Sequence, residues 1–396
     1  MRITPKNELE HRCLKLQAEM AAAGLDAVIM LQNADLFYFT GSMQTGNLYL
    51  PVSGQPVYLV RRDYLRARME CGLAQVVACS SAKDLPGMIA AYGQPTPERI
   101  GLELDVLPVN IYQKYRSLYP NARFFDASPL IRRVRMLKSH YEIHILQDAA
   151  DQADKVYRLA AQVIREGMSE LELAAQLEQL SRLEGHQGRV RMRAFNGEPP
   201  LGLVLSGPDA AAPSSANAPL GGMGLTPALG YGPSYNRIGR GEPIVVDFGS
   251  CFDGYLVDQT RIFAIGSLSD RMRRGYDDML RIEALMLELA GRRPSWGSIY
   301  DACLALARKM GYADHFMGTP GSQVSFIGHG IGIELDEYPF IASGYAAESL
   351  QPGMVFAFEP KLVFPGEGAI GIEDTFYLTE SGVKRLTYSN RELVIL

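Results

Sequence analysis

The chain has 396 residues, 47% hydrophobic and 21% charged, an ordinary globular composition with enough apolar material for two cores. Its 44 acidic and 39 basic residues leave a formal net charge of −5 without a long block of either sign, which argues against a nucleic-acid partner. No apolar run reaches the roughly 18 residues of a membrane span, and the opening MRITPKNELEHRCLKL lacks the apolar centre of a signal peptide, so the expectation is a soluble, cytoplasmic protein with no membrane partner.

From the N-terminus, a helical segment, NELEHRCLKLQAEMAAAG, leads into short strand-like runs, DAVIML, LFYFTG, NLYLPV and PVYLVRR. Helical DYLRARME and strands AQVVACS, RIGLEL and ARFFDAS follow. This alternation, punctuated by Gly and Pro, predicts an α/β domain over 1–135. A second domain, 136–396, opens with two helical segments whose apolar residues recur at three- and four-residue intervals. A Gly/Pro/Ala-rich connection from Glu198 to Tyr235 reads as a loop that walls a site. Two further helical segments, about Asp270 to Gly291 and Ser295 to Gly311, lead to MVFAFEPKLVFPGEGAIGIEDTFYL. The second domain thus repeats in outline: a helix pair, then a hairpin carrying acids. Five scattered cysteines, odd in number and never spaced C-x-x-C, are read as reduced thiols that fill core.

The chemistry is concentrated in VVDFGSCFDGYLVDQTR. Asp253-Gly254 is a strong two-residue hairpin turn. It sets Asp247 opposite Thr260 and Gly249 opposite Asp258, so the two acids share a face as diagonal neighbours. Two carboxylates placed together in buried β-structure repel and are desolvated, at a cost of several kcal/mol unless a cation or a shared proton compensates. The second hairpin brings Glu359 level with Glu373, subject to a one-residue register ambiguity. Between the hairpins, FIGHGIGIELDEYP places His329 between two glycines, where backbone approaches closely and imidazole supplies a nitrogen ligand. Each residue alone is also compatible with a solvated acid or a structural histidine; the set points to a dimetal site.

These motifs resemble the pita-bread metallopeptidases: methionine aminopeptidase, aminopeptidase P, prolidase and the related creatinase. The resemblance rests on DFG at Asp247, DQTR at Asp258, GHGIG at His329, EP at Glu359 and IED at Glu373. LDAVIMLQNADLFYFTGS is similar to the creatinase/prolidase N-terminal domain. The resemblance implies an α/β creatinase-like N-terminal domain and an α+β pita-bread catalytic domain. It implies two divalent ions, Mn²⁺ first and Co²⁺, Fe²⁺ or Zn²⁺ as alternatives, held by Asp247, Asp258, His329, Glu359 and Glu373. A hydroxide bridging the ions would attack a peptide or small amide carbonyl, with Glu359 as the catalytic proton shuttle. A homodimer is also implied.

Three departures qualify that picture. Active family peptidases carry a histidine where SGPDAAAPS ends in Ser214, and another where DEYP has Asp336. Loss of such donors weakens stabilisation of a tetrahedral intermediate. Prolidases commonly have an arginine two residues before the last glutamate, where this chain has Gly371. A strand over GRVRMRAF would project Arg189, Arg191 and Arg193 from one face, read first as solvated or salt-bridged, the alternative being a replacement grip on a substrate carboxylate or phosphate. His186 reads first as a structural or exposed residue, with a stand-in for a missing histidine as the alternative. The resulting expectation is an Xaa-Pro dipeptidase- or aminopeptidase-like hydrolase with weakened or altered activity. The alternatives are a lyase or other C–N or C–O hydrolase on the same metal site, and a non-catalytic binding homologue.

Overall fold

The computed structural model describes residues 2–396. The chain divides into two compact units, residues 1–135 with 193–196, and residues 136–192 with 197–396.

The first unit is built on a six-stranded mixed sheet in the order Gln75–Ala78, Val57–Val60, Gly46–Pro51, Ala27–Met30, Arg99–Leu102, Arg123–Asp126. Ala27–Met30 is antiparallel to Gly46–Pro51 and parallel to Arg99–Leu102. Residues 27–30 and 57–60 are buried throughout, as short apolar strands covered on both faces must be. Ile29, Leu59, Ile100, Leu102 and Tyr115 share one core cluster. The strand expected at LFYFTG is instead part of a helix, Asn33–Thr40. The Gln32 side chain accepts from Asp35 N, and Gly41 ends the helix at φ 79°. Almost every side chain of this helix is buried, so it lacks the amphipathic period that would have distinguished it from a strand.

Asp35, on that helix, is wholly buried between Arg135 (2.7 Å) and Arg193 (2.6 Å), and Arg193 also reaches Asp105 at 2.7 Å. Burial alone would raise the Asp35 carboxyl, but the two guanidiniums hold it below its ordinary value. The Arg193 side chain is 3% exposed, so it belongs to a structural ion-pair network and is not a substrate grip. GRVRMRAF does not form the expected regular strand; only Met192 makes a bridge, to Leu335.

In the second unit, helices His140–Val163 and Glu170–Leu183 begin with capping boxes, Ser139 with Glu142 and Ser169 with Glu172. They bury Val156, Ala160, Leu173 and Leu177 against Val204, Ile244, Val246 and Phe248 of a four-stranded sheet. Its order is Val394–Ile395, Thr260–Ala264, Ile244–Phe248, Gly202–Ser206. The last strand lies inside the connection expected to be a loop; GLVLS is a short apolar run that periodicity could not assign. Helices Asp270–Gly291 and Trp296–Lys309, each N-capped by a serine, back a five-stranded sheet. That sheet runs Leu335–Ala342, Phe326–Ile331, Val355–Phe358, Asp374–Thr379, Gly382–Arg385. Each half therefore pairs two helices with a sheet.

Thr260 and Glu373 form the bridge at which the two hairpins meet. Buried Arg261 reinforces this joint, donating to the carbonyls of Thr260 and Glu373 (each 2.8 Å) and to Asp374 Oδ1 (2.8 Å). All five cysteines are free and buried. Among the described residues no helix is long and apolar enough to cross a membrane.

Asp35→Ala removes the carboxylate between two buried guanidiniums and is expected to cost about 3–5 kcal/mol, read as a lower urea midpoint for loss of the first unit's structure. An unchanged midpoint would contradict the structural assignment of Arg193.

Candidate metal centre

The first hairpin has the register its turn predicts. Asp253 and Gly254 take φ of 43° and 91°, the positive values a two-residue turn of this kind demands. Phe252 pairs with Tyr255, and the same register sets Asp247 opposite Thr260. Thr375 fixes the backbone at Asp258: its Oγ1 accepts from Asp258 N and donates to Asp258 O, both at 2.9 Å.

In the second hairpin Lys361 pairs with Gly371 and Phe364 with Gly368, which carries Glu359 to the level of Glu373. Glu359 and Lys361 are two residues apart on extended chain and project to the same side. Lys361 thereby enters the acidic cluster, a contact the sequence reading missed. Its Nζ lies 2.6 Å from Glu359 Oε2, 2.9 Å from Glu373 Oε2 and 3.1 Å from Asp247 Oδ2. Thr260 Oγ1 donates to the same Glu373 oxygen at 2.7 Å. The available signal was a lone cationic side chain in the otherwise apolar run KLVF, in phase with Glu359.

His329 lies on Phe326–Ile331, whose neighbours approach so closely that a Cβ at Gly330 would sit 2.0 Å from the Tyr338 carbonyl. Its Nδ1 is 3.2 Å from the Gly330 carbonyl and 3.5 Å from Asp336 Oδ1. Nδ1 facing a carbonyl and a carboxylate favours the tautomer protonated there, which leaves the Nε2 lone pair for the cluster. Nε2 is 3.8 Å from Glu359 Oε1 and 3.9 Å from Glu373 Oε1. The following turn is pinned by Glu337, whose Oε1 accepts from the backbone of Ile333 and Glu334 while Oε2 pairs with Lys138 at 2.9 Å.

His329, Glu359, Lys361 and Glu373 are buried, while Asp247 and Asp258 keep partial exposure. Burial raises the carboxyls of Asp247 and Glu373 above their ordinary range, with Lys361 opposing the shift. Burial raises Asp258 further, reinforced by Glu373 and Asp247. For Lys361 burial disfavours the ammonium, but Asp247, Glu359 and Glu373 together outweigh it and hold the amine charged. For His329 burial likewise opposes the charge, and Asp336, Glu359 and Glu373 outweigh it.

Asp258, His329 and Glu373 each offer a ligand atom within 4.8 Å of the other two. Donors about 2.1 Å from a shared ion stand up to about 4.2 Å apart, so a small closure would seat a divalent cation. One imidazole and two carboxylates suit Mn²⁺, Fe²⁺, Co²⁺ or Zn²⁺. Asp247 and Glu359 face the Lys361 ammonium instead.

The other candidate residues separate. Ser214 Oγ accepts from Ala216 N at 3.1 Å in a local turn. Asp336 lies against His329, and the Arg191 carbonyl accepts from Leu335 N at 2.7 Å. Arg189 is exposed and Arg193 is held by Asp35 and Asp105. His186 is buried with its Nδ1 accepting from Gly188 N at 2.8 Å, a local structural role.

An α/β unit and a larger α+β unit of paired helix-and-sheet halves, with acid and imidazole donors meeting between two hairpins, define a protein of the metalloenzyme class. Residues 144–380 match Metallopeptidase family M24, and residues 12–137 match the Creatinase/Prolidase N-terminal domain. The chain belongs to metallopeptidase family M24, as a two-domain, prolidase-like member with the pita-bread fold. It is 28% identical over 389 residues to an Xaa-Pro dipeptidase of Pyrococcus furiosus, covering 98% of this chain and 100% of that one. An Xaa-Pro dipeptidase of Lactobacillus helveticus is 30% identical over 296 residues, covering 74% and 72%. The crystal structure of the prolidase from Pyrococcus horikoshii OT3 superimposes with a TM-score of 0.80 at 25% identity, covering 97% of this chain and 100% of that chain.

If Asp336 orients His329, Asp336→Asn should weaken Mn²⁺ binding about 10–100-fold in calorimetric titration. Unchanged metal affinity with a raised KM would instead return Asp336 to substrate contact.

Proposed function

We propose that this chain is a divalent-metal-dependent hydrolase of small Xaa-Pro peptides or closely related amides. The observation that carries the reading is the convergence of Asp258, His329 and Glu373 within the M24 unit, His329 from the strand Phe326–Ile331 and the two acids from the joints just before Thr260–Ala264 and Asp374–Thr379. The Xaa-Pro dipeptidase relatives support the substrate class. Mn²⁺ is the first choice of ion.

A bound divalent ion supplies Lewis-acid polarisation of the scissile carbonyl. The protein's part begins with His329, whose Nδ1 is directed to Gly330 O and Asp336, so that Nε2 is the nitrogen turned to the cluster and would give up its proton on binding an ion there. Glu359 has one oxygen anchored by Lys361 and the other directed toward His329. It would take a proton from the water as the C–O bond forms and the carbonyl π pair moves to oxygen, then deliver that proton to the leaving nitrogen as the carbonyl re-forms and the C–N bond breaks. The ammonium of Lys361 has three N–H donors and three carboxylate partners, which leaves none for a developing oxyanion. The two-ion arrangement suggested by the family resemblance would require Asp247 and Glu359 to be released from that ammonium.

Ser214 and Asp336 favour a second reading, hydrolysis of a non-peptide C–N bond. One is turned into a local hydrogen bond and the other is an acid, so neither supplies the cationic donor of the family peptidases.

Protein reloaded with Mn²⁺ is expected to cleave at least one member of an Xaa-Pro dipeptide and N-terminal Xaa-Pro peptide panel, and Glu359→Ala to lower the rate by about 10²-fold or more. Bound Mn²⁺ with no cleavage anywhere in the panel contradicts the peptidase reading and leaves the non-peptide amide.

A further inference from the structure

Four carboxylates and one imidazole are enough donors for two divalent ions, yet three of those five side chains already hold a cation that belongs to the chain. We infer that the Lys361 ammonium occupies the position of a second metal ion, so that the centre takes one divalent ion, at Asp258, His329 and Glu373, and not two. The inference rests on the metal-dependent reading above.

The geometry is that of a built position. The ammonium contacts Glu359, Glu373 and Asp247 at 2.6, 2.9 and 3.1 Å, which matches its three N–H groups one to one. An ion bound to those same three oxygens at about 2.0–2.2 Å would have to lie in the space between them. The ammonium nitrogen already fills that space. Coexistence would also press two like charges together at very short range in a poorly solvated interior.

The backbone around Lys361 is arranged to keep it there. Lys361 is 1% exposed and its carbonyl accepts from Met317 N at 2.9 Å. Directly across the hairpin stands Gly371. A Cβ at that position would lie 2.5 Å from the Pro360 carbonyl oxygen, 2.8 Å from Lys361 Cα and 2.7 Å from Lys361 Cγ, so backbone excludes a larger residue at 371 and the lysine stem runs beside the same volume. Glycine at 371 thus lets the hairpin strands close and leaves the lysine stem its path to the cluster, where the side chain is buried and held by three carboxylates.

The remaining donors are not blocked. Among the described residues, Asp258, His329 and Glu373 form the one group of acid, imidazole or thiol side chains with its atoms close enough to share an ion. Neither Asp258 nor His329 has a contact with the ammonium among the hydrogen bonds and ion pairs of the cluster. Glu373 joins the two halves: Oε2 faces Lys361 and Thr260, while Oε1 faces His329 Nε2. A carboxylate shared between an ammonium and a divalent ion takes the place of one shared between two ions.

The test is stoichiometry, read without any activity. Full-length protein, freed of metal and dialysed against Mn²⁺, is expected to retain one Mn²⁺ per chain by elemental analysis and to show the electron paramagnetic resonance of an isolated Mn²⁺. Lys361→Ala is expected to take up a second ion per chain and to show the spin-coupled signal of a pair. Lys361→Met, which keeps the volume but loses the charge, should remain at one. Two coupled ions in the wild-type protein would overturn the inference while leaving the metal-dependent reading intact. No retained ion in the wild type would overturn both. The wild-type measurement decides the question even if a variant fails to fold.

Discussion

The structure depends on one electrostatic constraint: four carboxylates, from Asp247, Asp258, Glu359 and Glu373, are drawn into a poorly solvated space where they cannot all be ionised without compensating positive charge. In this chain part of that charge is covalently attached. Lys361 reaches three of the four acids, and its own burial is tolerable only because they are there. Neither the acids nor the lysine would be stable in the interior alone. The register of both hairpins therefore has an electrostatic consequence, since a slip of one residue would send either partner to the opposite face.

The surrounding fold holds that arrangement rigid. Two helix pairs back two sheets, and the hairpins projecting from the sheets meet at the Thr260–Glu373 bridge. Arg261 stitches this joint with bonds to backbone on both sides, and Thr375 clamps the peptide at Asp258. His329 arrives from a third direction on a strand whose glycines permit unusually close neighbours. Asp336 and Gly330 set its ring, while the Lys138–Glu337 pair fixes the turn that carries Asp336. Ligand direction is thus a property of backbone contacts as much as of the ligands themselves.

Much of this was legible in the sequence where local rules are strong. Asp253-Gly254 specified a two-residue turn, and from it the pairing of Asp247 with Thr260 follows by counting. The three-to-four-residue apolar spacing marked the long helices, and the joint motifs around His329, Glu359 and Glu373 pointed to the family. Features that depend on tertiary surroundings were less legible. The helix Asn33–Thr40 is buried on nearly every side and carries no periodic face, so LFYFTG resembled a strand. Arg193 looked like one of three equivalent arginines, because its partners Asp35 and Asp105 are distant in sequence. Lys361 stood in plain view beside Glu359, but an isolated lysine in a strand reads as a solvated edge until the opposing Gly371 and three converging carboxylates are seen together.

With the Lys361 ammonium proposed in the place of a second ion, the metal chemistry of this M24 chain would rest on a residue outside its five ligand positions. A tethered ammonium restricts where a divalent ion can bind and keeps Glu359 anchored by one oxygen. The most direct measurement is the anomalous scattering of crystals grown with Mn²⁺, collected at the manganese absorption edge. The account predicts a single peak per chain among Asp258, His329 and Glu373, with Lys361 Nζ still in hydrogen-bond contact with Asp247 and Glu359. Two peaks a few ångströms apart, with the lysine side chain swung out of the cluster, would contradict it.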